Sequence, residues 1–384
     1  MNNYFIHTIE LYRLIGYDDY TSLHKIRRFK NIGNKILDEY RCTDYSHYGI
    51  IIIFRKCTEN EKKKKGSQLG YKLILVINPS RLIEENTYYN KILDFNKFHN
   101  AIIFLNEKIA EIFENIIPDI SGIDNFVLGR IDITKDIKNV SYEFIQEYIL
   151  KLRRLPFRCG YSFNTELEES CQTFRFEDSC NIINDSRAIE FVIYNKYSAT
   201  VDQKYPDDVQ EFYKDTLRIE LTCKRKFIKK HTKNKSTCEA LFLIYLKKTE
   251  FTEEIFDAIF SCDINAGFLS YYWLTKIIDA KTSRKKKKKM LKLVNYLHNY
   301  PDKTLDEALS FLFPSLKTQD TLLTAFDSLE VSPLPIQSKD IAYMQSIASL
   351  LEFSQPSEKG QIYADVINRK SRGKQLFISP LRQY

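Results

Sequence analysis

Five short stretches of the first 235 residues are rich in β-branched and aromatic residues, some as apolar runs and some, such as "RIDIT" and "LRIELT", with apolar and polar residues alternating at a period of two. This content predicts strands at 49–56, 71–78, 126–134, 189–196 and 216–223. Between them the period lengthens to three or four. Residues 98–116 place Phe98, Ala101, Ile102, Leu105, Ile109, Ile112, Phe113 and Ile116 on one face of a helix. Residues 142–155 do the same with Ile145, Tyr148, Ile149, Leu152 and Leu155. From about 237 onward the spacing is mostly helical, interrupted at "NYPDKT" and "LFPSL" and ending near "VSPLPI". The last stretch, from "SQPSEKG" to "SRGKQLFISPLRQY", reads as a basic, poorly packed tail. The pattern predicts an α+β chain: an antiparallel-sheet domain with flanking helices over 1–235, a mainly α-helical C-terminal domain over 236–350, and the tail over 351–384.

Composition adds that the chain has real cores, since 43% of its 384 residues are hydrophobic and 14% aromatic. The longest apolar run, "YGIIIIF", is far short of the roughly 20 residues that a membrane helix needs, and "MNNYFIHTIE" lacks the plan of a signal peptide. The expectation is a cytoplasmic protein with no membrane partner. The cysteines, at 42, 57, 159, 171, 180, 223, 238 and 262, form no C-x-x-C pair and read as scattered reduced thiols.

The net charge of +8 is modest, but its placement is not even. "KRKFIKKHTKNK" at 224–235 carries seven Lys/Arg and "KTSRKKKKKMLK" at 281–292 carries eight, neither with an acid. A third run, "EKKKKG" at 61–66, falls between two predicted strands and reads as the tip of a long hairpin. Three such runs in one chain point to a polyanion, and DNA is the expected partner.

Two predicted strands repeat one charge pattern. "RIDIT" sets Arg130, Asp132 and Thr134 opposite Ile131 and Ile133, and "LRIELT" sets Arg218, Glu220 and Thr222 opposite Leu217, Ile219 and Leu221. If the strands are neighbours, two acids and two arginines meet on one surface. A third strand, "AIEFVIYNK", projects Tyr194 and Lys196 from one face and turns Tyr197 away. Such a surface holds carboxylates for a hard cation, a phenol, and cations for a phosphate. An amphipathic sheet with cross-strand ion pairs on its wet face has the same spacing.

The blocks "SHYGIIIIF", "YKLILVINPSRLI", "LGRIDITKDI", "SRAIEFVIYNK" and "LRIELTCKRKFIK", in that order, resemble the replication initiator proteins of filamentous phages and related rolling-circle plasmids. The resemblance spans about residues 45–230. It implies a nicking and closing enzyme in which Tyr194, on the matching strand, attacks a DNA phosphodiester and stays bonded to the 5′-phosphate. The free 3′ end then primes synthesis by host helicase and polymerase. On this expectation Asp132 and Glu220 hold Mg²⁺ or Mn²⁺, Lys196 lowers the phenol's pKa or clamps the phosphate, and Arg130 or Arg218 counters transition-state charge. His47 matches a His-Tyr pair of the phage proteins. The chain departs from the His-hydrophobic-His nucleases, because its histidines at 7, 24, 47, 99, 231 and 298 include no H-x-H. In the helical half, "SLKTQDTLLTAFDSLEV" has the form of a recognition helix. A relaxase or single-strand transposase with the same chemistry, and a non-catalytic origin-binding protein, are the rival readings.

Overall fold

A computed structural model describes residues 4–351 except 27, 32–37, 60, 62–69, 85–88, 90–91, 165–177 and 261–265. The lysines of the hairpin tip at 62–65 and the expected tail from 352 onward lie outside the described residues.

The chain is α+β, built on a large antiparallel sheet. The strands are β1 (Tyr4–Ile15), β2 (Lys30–Asn31), β3 (Tyr40–Cys42), β4 (Ile50–Lys56), β5 (Tyr71–Ile77), β6 (Val127–Ile137), β7 (Tyr161–Phe163), β8 (Ser179–Asn184), β9 (Ile189–Asn195) and β10 (Leu217–Lys224). They lie in the order β2-β3-β4-β5-β1-β6-β10-β9-β8-β7. All five predicted strands are present. The expected hairpin is present too, with β4 paired along its whole length with β5. Five strands of the sheet escape the sequence pattern: the short β2, β3 and β7 toward the edges, β8 beside β9, and β1, which lies between β5 and β6 near the sheet centre.

Three long helices cover one face. α3 (Phe95–Phe113) and α4 (Tyr142–Arg154) match the predicted helices to within a turn, and α8 (Thr237–Ile259) packs on β6, β1 and α3. Before and between them stand α1 (Tyr17–His24), α2 (Pro79–Ile83), α5 (Lys196–Asp202), α6 (Asp207–Phe212) and α7 (Arg225–His231). Each long helix starts at a side-chain cap: Asp94, Ser141 and Ser236 accept from Lys97 N, Phe144 N and Glu239 N. Ile9, Leu11, Ile52, Leu75, Ile131, Ile133, Ile219, Leu221, Phe191 and Ile193 fill the helix-facing side of the sheet and are buried. The other side carries the alternate residues, among them Asp132, Glu220 and Tyr194.

Two glycines serve this packing. Gly49 takes φ +74 at the entry to β4, where a Cβ would sit 2.6 Å from Arg81 Cβ and 2.8 Å from Asn78 O. Gly129 admits the Tyr12 ring, whose Cδ1 would be 2.8 Å from an added Cβ.

After α8 come β11 (Phe268–Leu269), α9 (Tyr271–Lys281), α10 (Arg284–Asn299), α11 (Leu305–Leu312), α12 (Leu316–Asp327), β12 (Tyr343–Met344) and α13 (Ile347–Leu350). α11 and α12 are joined by three residues, so the predicted recognition helix does follow a helix and a tight turn. α4 binds this region through buried polar side chains. Glu147 Oε1 accepts from the amides of Gln337 and Ser338, and Lys151 Nζ donates to Pro335 O at 2.7 Å while pairing with Glu147. Arg154 donates to the carbonyls of Leu297 and Lys303 at 2.8 and 2.9 Å, and Tyr148 donates to Gln345 O. No helix of the described residues is long and apolar enough to cross a membrane. Of the described cysteines, 42, 159, 223 and 238 are free thiols.

Candidate active site

Strand pairing brings the predicted residues together. β10 lies between β6 and β9, with Arg218 opposite both Asp136 and Tyr194, Glu220 opposite Thr134 and Val192, and Thr222 opposite Asp132 and Glu190. Because paired residues of an antiparallel ladder point to one side, Arg130, Asp132, Glu220, Arg218 and Tyr194 all share the sheet face away from the long helices.

Tyr194 is 4% exposed, and its hydroxyl donates to Glu220 Oε1 at 2.8 Å. Burial, and then the adjacent Glu220 carboxylate, push this phenol well above its ordinary pKa, while Arg218 pulls the other way. The expectation that Lys196 lowers the phenol is therefore corrected: the phenol is raised. Its depressing cation is Arg218.

Arg218 is wholly buried. It grips Asp136 with two hydrogen bonds, Nε to Oδ1 at 2.5 Å and Nη2 to Oδ2 at 2.6 Å. Its Nη1 has no hydrogen-bond partner among the described residues and lies 3.6 Å from Glu220 Oε1. Burial alone would raise the Asp136 carboxyl, but the guanidinium overrides it and holds the group below the usual carboxylate range.

Lys196 departs from its predicted place on the strand. β9 ends at Asn195, whose side chain accepts from Tyr197 N and Ser198 N as the cap of α5, so Lys196 opens a helix. Its ammonium nonetheless returns to the site, 5.8 Å from the Tyr194 ring and 5.3 Å from the buried Tyr213 ring. Burial, and then the Arg218 charge, press Lys196 down to about 7. Tyr197, on the first turn of α5, is 38% exposed, so the two tyrosines share neither strand nor helix.

The Lys196 shift makes a stability prediction. The folded chain releases this proton near pH 7, whereas the unfolded chain holds it to about 10.5. Between those limits the unfolded state binds more protons, so stability rises with pH. Lys196→Met is expected to flatten the rise of Tm between pH 7 and 9.5, measured by thermal unfolding. Coincident slopes for the two proteins would mean that the ammonium is solvated.

Asp132 is 2% exposed and its oxygens are occupied. Arg130 Nε donates to Oδ1 at 2.8 Å and Nη2 to Oδ2 at 2.6 Å, while Thr222 Oγ1 donates to Oδ1 at 2.7 Å. Glu220 stands on the diagonal from Asp132, with Oε1 taken by Tyr194. Among the described residues no group of three or more His, Cys, Asp or Glu is placed to hold an ion. A divalent cation at Asp132 and Glu220 therefore does not fit these residues as they stand: two of the acids on this face are already neutralised by arginine forks.

Two residues of the site were absent from the sequence reading. Asp136 continues the R-x-D-x-T alternation by one more step, so its signal was present but the predicted strand stopped at 134. His7 sits where β1 slips register against β6, between Ile6 and Thr8. The bulge turns its ring toward the site, with Nδ1 2.9 Å from Thr8 Oγ1. Burial, and then Arg218 and Lys196, press the imidazole down to about 3, so it is neutral. His47 lies elsewhere. Its ring lies 3.9 Å from that of Tyr48, tilted by 46°, and the Tyr48 ring packs toward Phe104 of α3 on the helix side. Glu190 is engaged by Lys224 at 3.4 Å and by the side chains of Asn164 and Asn181.

Neither a scan against protein-family models nor a search of the curated proteins returned a match for this chain.

Proposed function

We propose that the chain is a rolling-circle replication initiator that nicks and rejoins origin DNA through a covalent 5′-phosphotyrosine at Tyr194. The observation that carries this reading is the 2.8 Å hydrogen bond from Tyr194 to Glu220 beside the buried, incompletely bonded Arg218. A nucleophile and a base in hydrogen-bond reach, with a third group orienting them, is the usual form of an activated hydroxyl. In the proposed step Glu220 takes the phenolic proton as the oxygen attacks phosphorus. The bond to the 3′-oxygen breaks, and the Lys196 ammonium, held near pH 7, gives its proton to the departing oxyanion. Arg218, fixed by Asp136, faces the charge that builds on the phosphoryl oxygens. Reversal joins the strand again.

In this reading the sheet face, residues 1–235, is the nickase, and 236–350 is a helical DNA-binding domain. The first turns of α10 place Arg284 and Lys285–Lys289 at a helix N-terminus, where like charge opposes the dipole. That cost is offset if phosphates sit there. The α11-turn-α12 pair supplies a helix for the major groove.

The test is incubation of the protein with supercoiled DNA carrying its own origin. The expected product is open-circular DNA with protein on the 5′ end and the adduct mapped to Tyr194. Untouched DNA, or an adduct on another residue, contradicts the proposal. Glu220→Gln keeps the size of the side chain but removes the base, and is expected to slow nicking by about 10² to 10⁴. Wild-type rates for this variant would exclude Glu220 as the proton acceptor. The burial of Tyr194 favours one rival, a protein that binds the origin without cutting it, and the same incubation separates the two.

A further inference from the structure

Helix α10 carries a second feature that strand cleavage does not use. Residues 285, 289, 292, 296 and 300 recur every three or four positions, so they line one flank of the helix, beside the face on which Met290, Leu293, Val294 and Leu297 are buried. The flank begins as lysine and ends as aromatic. The Tyr296 ring lies 4.7 Å from Tyr300 and 5.3 Å from Phe311 of α11, tilted by 39° and 30°. Phe311 is 71% exposed and Tyr300 50%. Tyr296 is half-buried against the core. One exposed ring is ordinary on a protein surface, but two exposed rings flanking a third at the end of a basic track form a continuous aromatic patch.

Two of the three lysines are also outside any ion pair. Lys285 and Lys289 form no ion pair among the described residues, whereas Lys287, on the other flank, pairs with Asp279 at 3.1 Å. Lys292 lies 5.6 Å from the Phe313 ring. The acids nearest the rings in the chain, Asp302 and Glu307, are both within 3.9 Å of the Lys303 ammonium.

We propose that this flank binds single-stranded nucleic acid, with the backbone phosphates on Lys285, Lys289 and Lys292 and unpaired bases stacked on Phe311, Tyr300 and Tyr296. From 285 to its end at 299 the helix rises about 21 Å, enough to engage several nucleotides. Lysines alone would take any phosphate backbone. The rings select for single strands, since only unstacked bases offer a free π-face. The inference does not depend on the nicking chemistry, because it concerns strand binding at a surface remote in sequence from Tyr194.

The experiment is fluorescence anisotropy of a labelled oligothymidylate, and of a duplex of unrelated sequence, with the full-length protein. Neither probe carries an origin, so the result is independent of cleavage. Phe311→Ala is expected to weaken oligothymidylate binding by about fivefold to a hundredfold and duplex binding by less than about twofold. Phe311→Trp should retain affinity, and Phe311→Leu, apolar but without a π-face, should not. Replacing Lys285, Lys289 and Lys292 by Gln should reduce the salt slope on the single strand by about 2. Because Phe311 is largely exposed, its loss leaves the core intact, and an unchanged melting curve verifies this for each variant. Wild-type affinity for the single strand in Phe311→Ala, equal losses on both probes, or full affinity in Phe311→Leu would each overturn the proposal.

Discussion

Tyr194→Phe is expected to abolish the covalent adduct while changing DNA affinity by no more than about twofold. The substitution removes one oxygen from a side chain that is 4% exposed and leaves its ring in place against Val192 and Ala199. The ring makes no claim on DNA, so binding survives. Chemistry does not, because Tyr194 is the tyrosine that donates to Glu220: Tyr197 is exposed on the next helix and Tyr213 lies under the Lys196 and Arg218 cations. Tyr197→Phe is the matched control and should keep the adduct. Denaturing gel shift of a labelled origin strand reads both. An adduct at the wild-type level in Tyr194→Phe would remove this tyrosine from the reaction.

Asp136→Asn is expected to produce the largest loss of stability of any single change at the site, about 3–5 kcal/mol. Arg218 is fully buried, and Asp136 supplies two of its hydrogen bonds. The amide still offers one oxygen but no charge, leaving a guanidinium in the sheet with only Glu220, at 3.6 Å, to balance it. Nicking should fall in parallel, since Arg218 loses its anchor. Urea denaturation followed by circular dichroism and by intrinsic fluorescence reads the stability term. Asp136→Leu combined with Arg218→Met removes the charge pair as a unit and should recover most of the stability without the activity. A loss below about 1 kcal/mol in Asp136→Asn would mean that the ion pair is more hydrated than its geometry indicates.

Much of this surface was legible because β6 and β10 write their faces in strict alternation: Arg130, Asp132 and Thr134, then Arg218, Glu220 and Thr222. What alternation does not encode is which strands are neighbours. Arg218 meets Asp136 across a gap of 82 residues, so that fork emerges only from register, whereas Arg130 closes on Asp132 two residues along its own strand, which alternation already puts on the same face. β1 was missed because the bulge at His7 breaks the period at the position where it matters most. Lys196 was misplaced because strand propensity in Phe191–Tyr194 masks the Asn195 cap, an N-terminal helix signal one residue later. The metal was inferred from residue types, and the arginine that occupies Asp132, Arg130, belongs to the same pattern that suggested it.

The grip of α4 on the later helices has a consequence for how such a chain can change. Glu147, Lys151 and Arg154 hold the amides of 337 and 338 and the carbonyls of 297, 303 and 335, which are main-chain groups. Every amino acid except proline carries both groups. The joint is therefore indifferent to which side chains residues 297, 303 and 335 carry, and to those of 337 and 338 so long as neither is proline. Surface positions of the later helices are free to diverge while their seat on the sheet stays constant, much as a tool head can be exchanged on an unchanged handle.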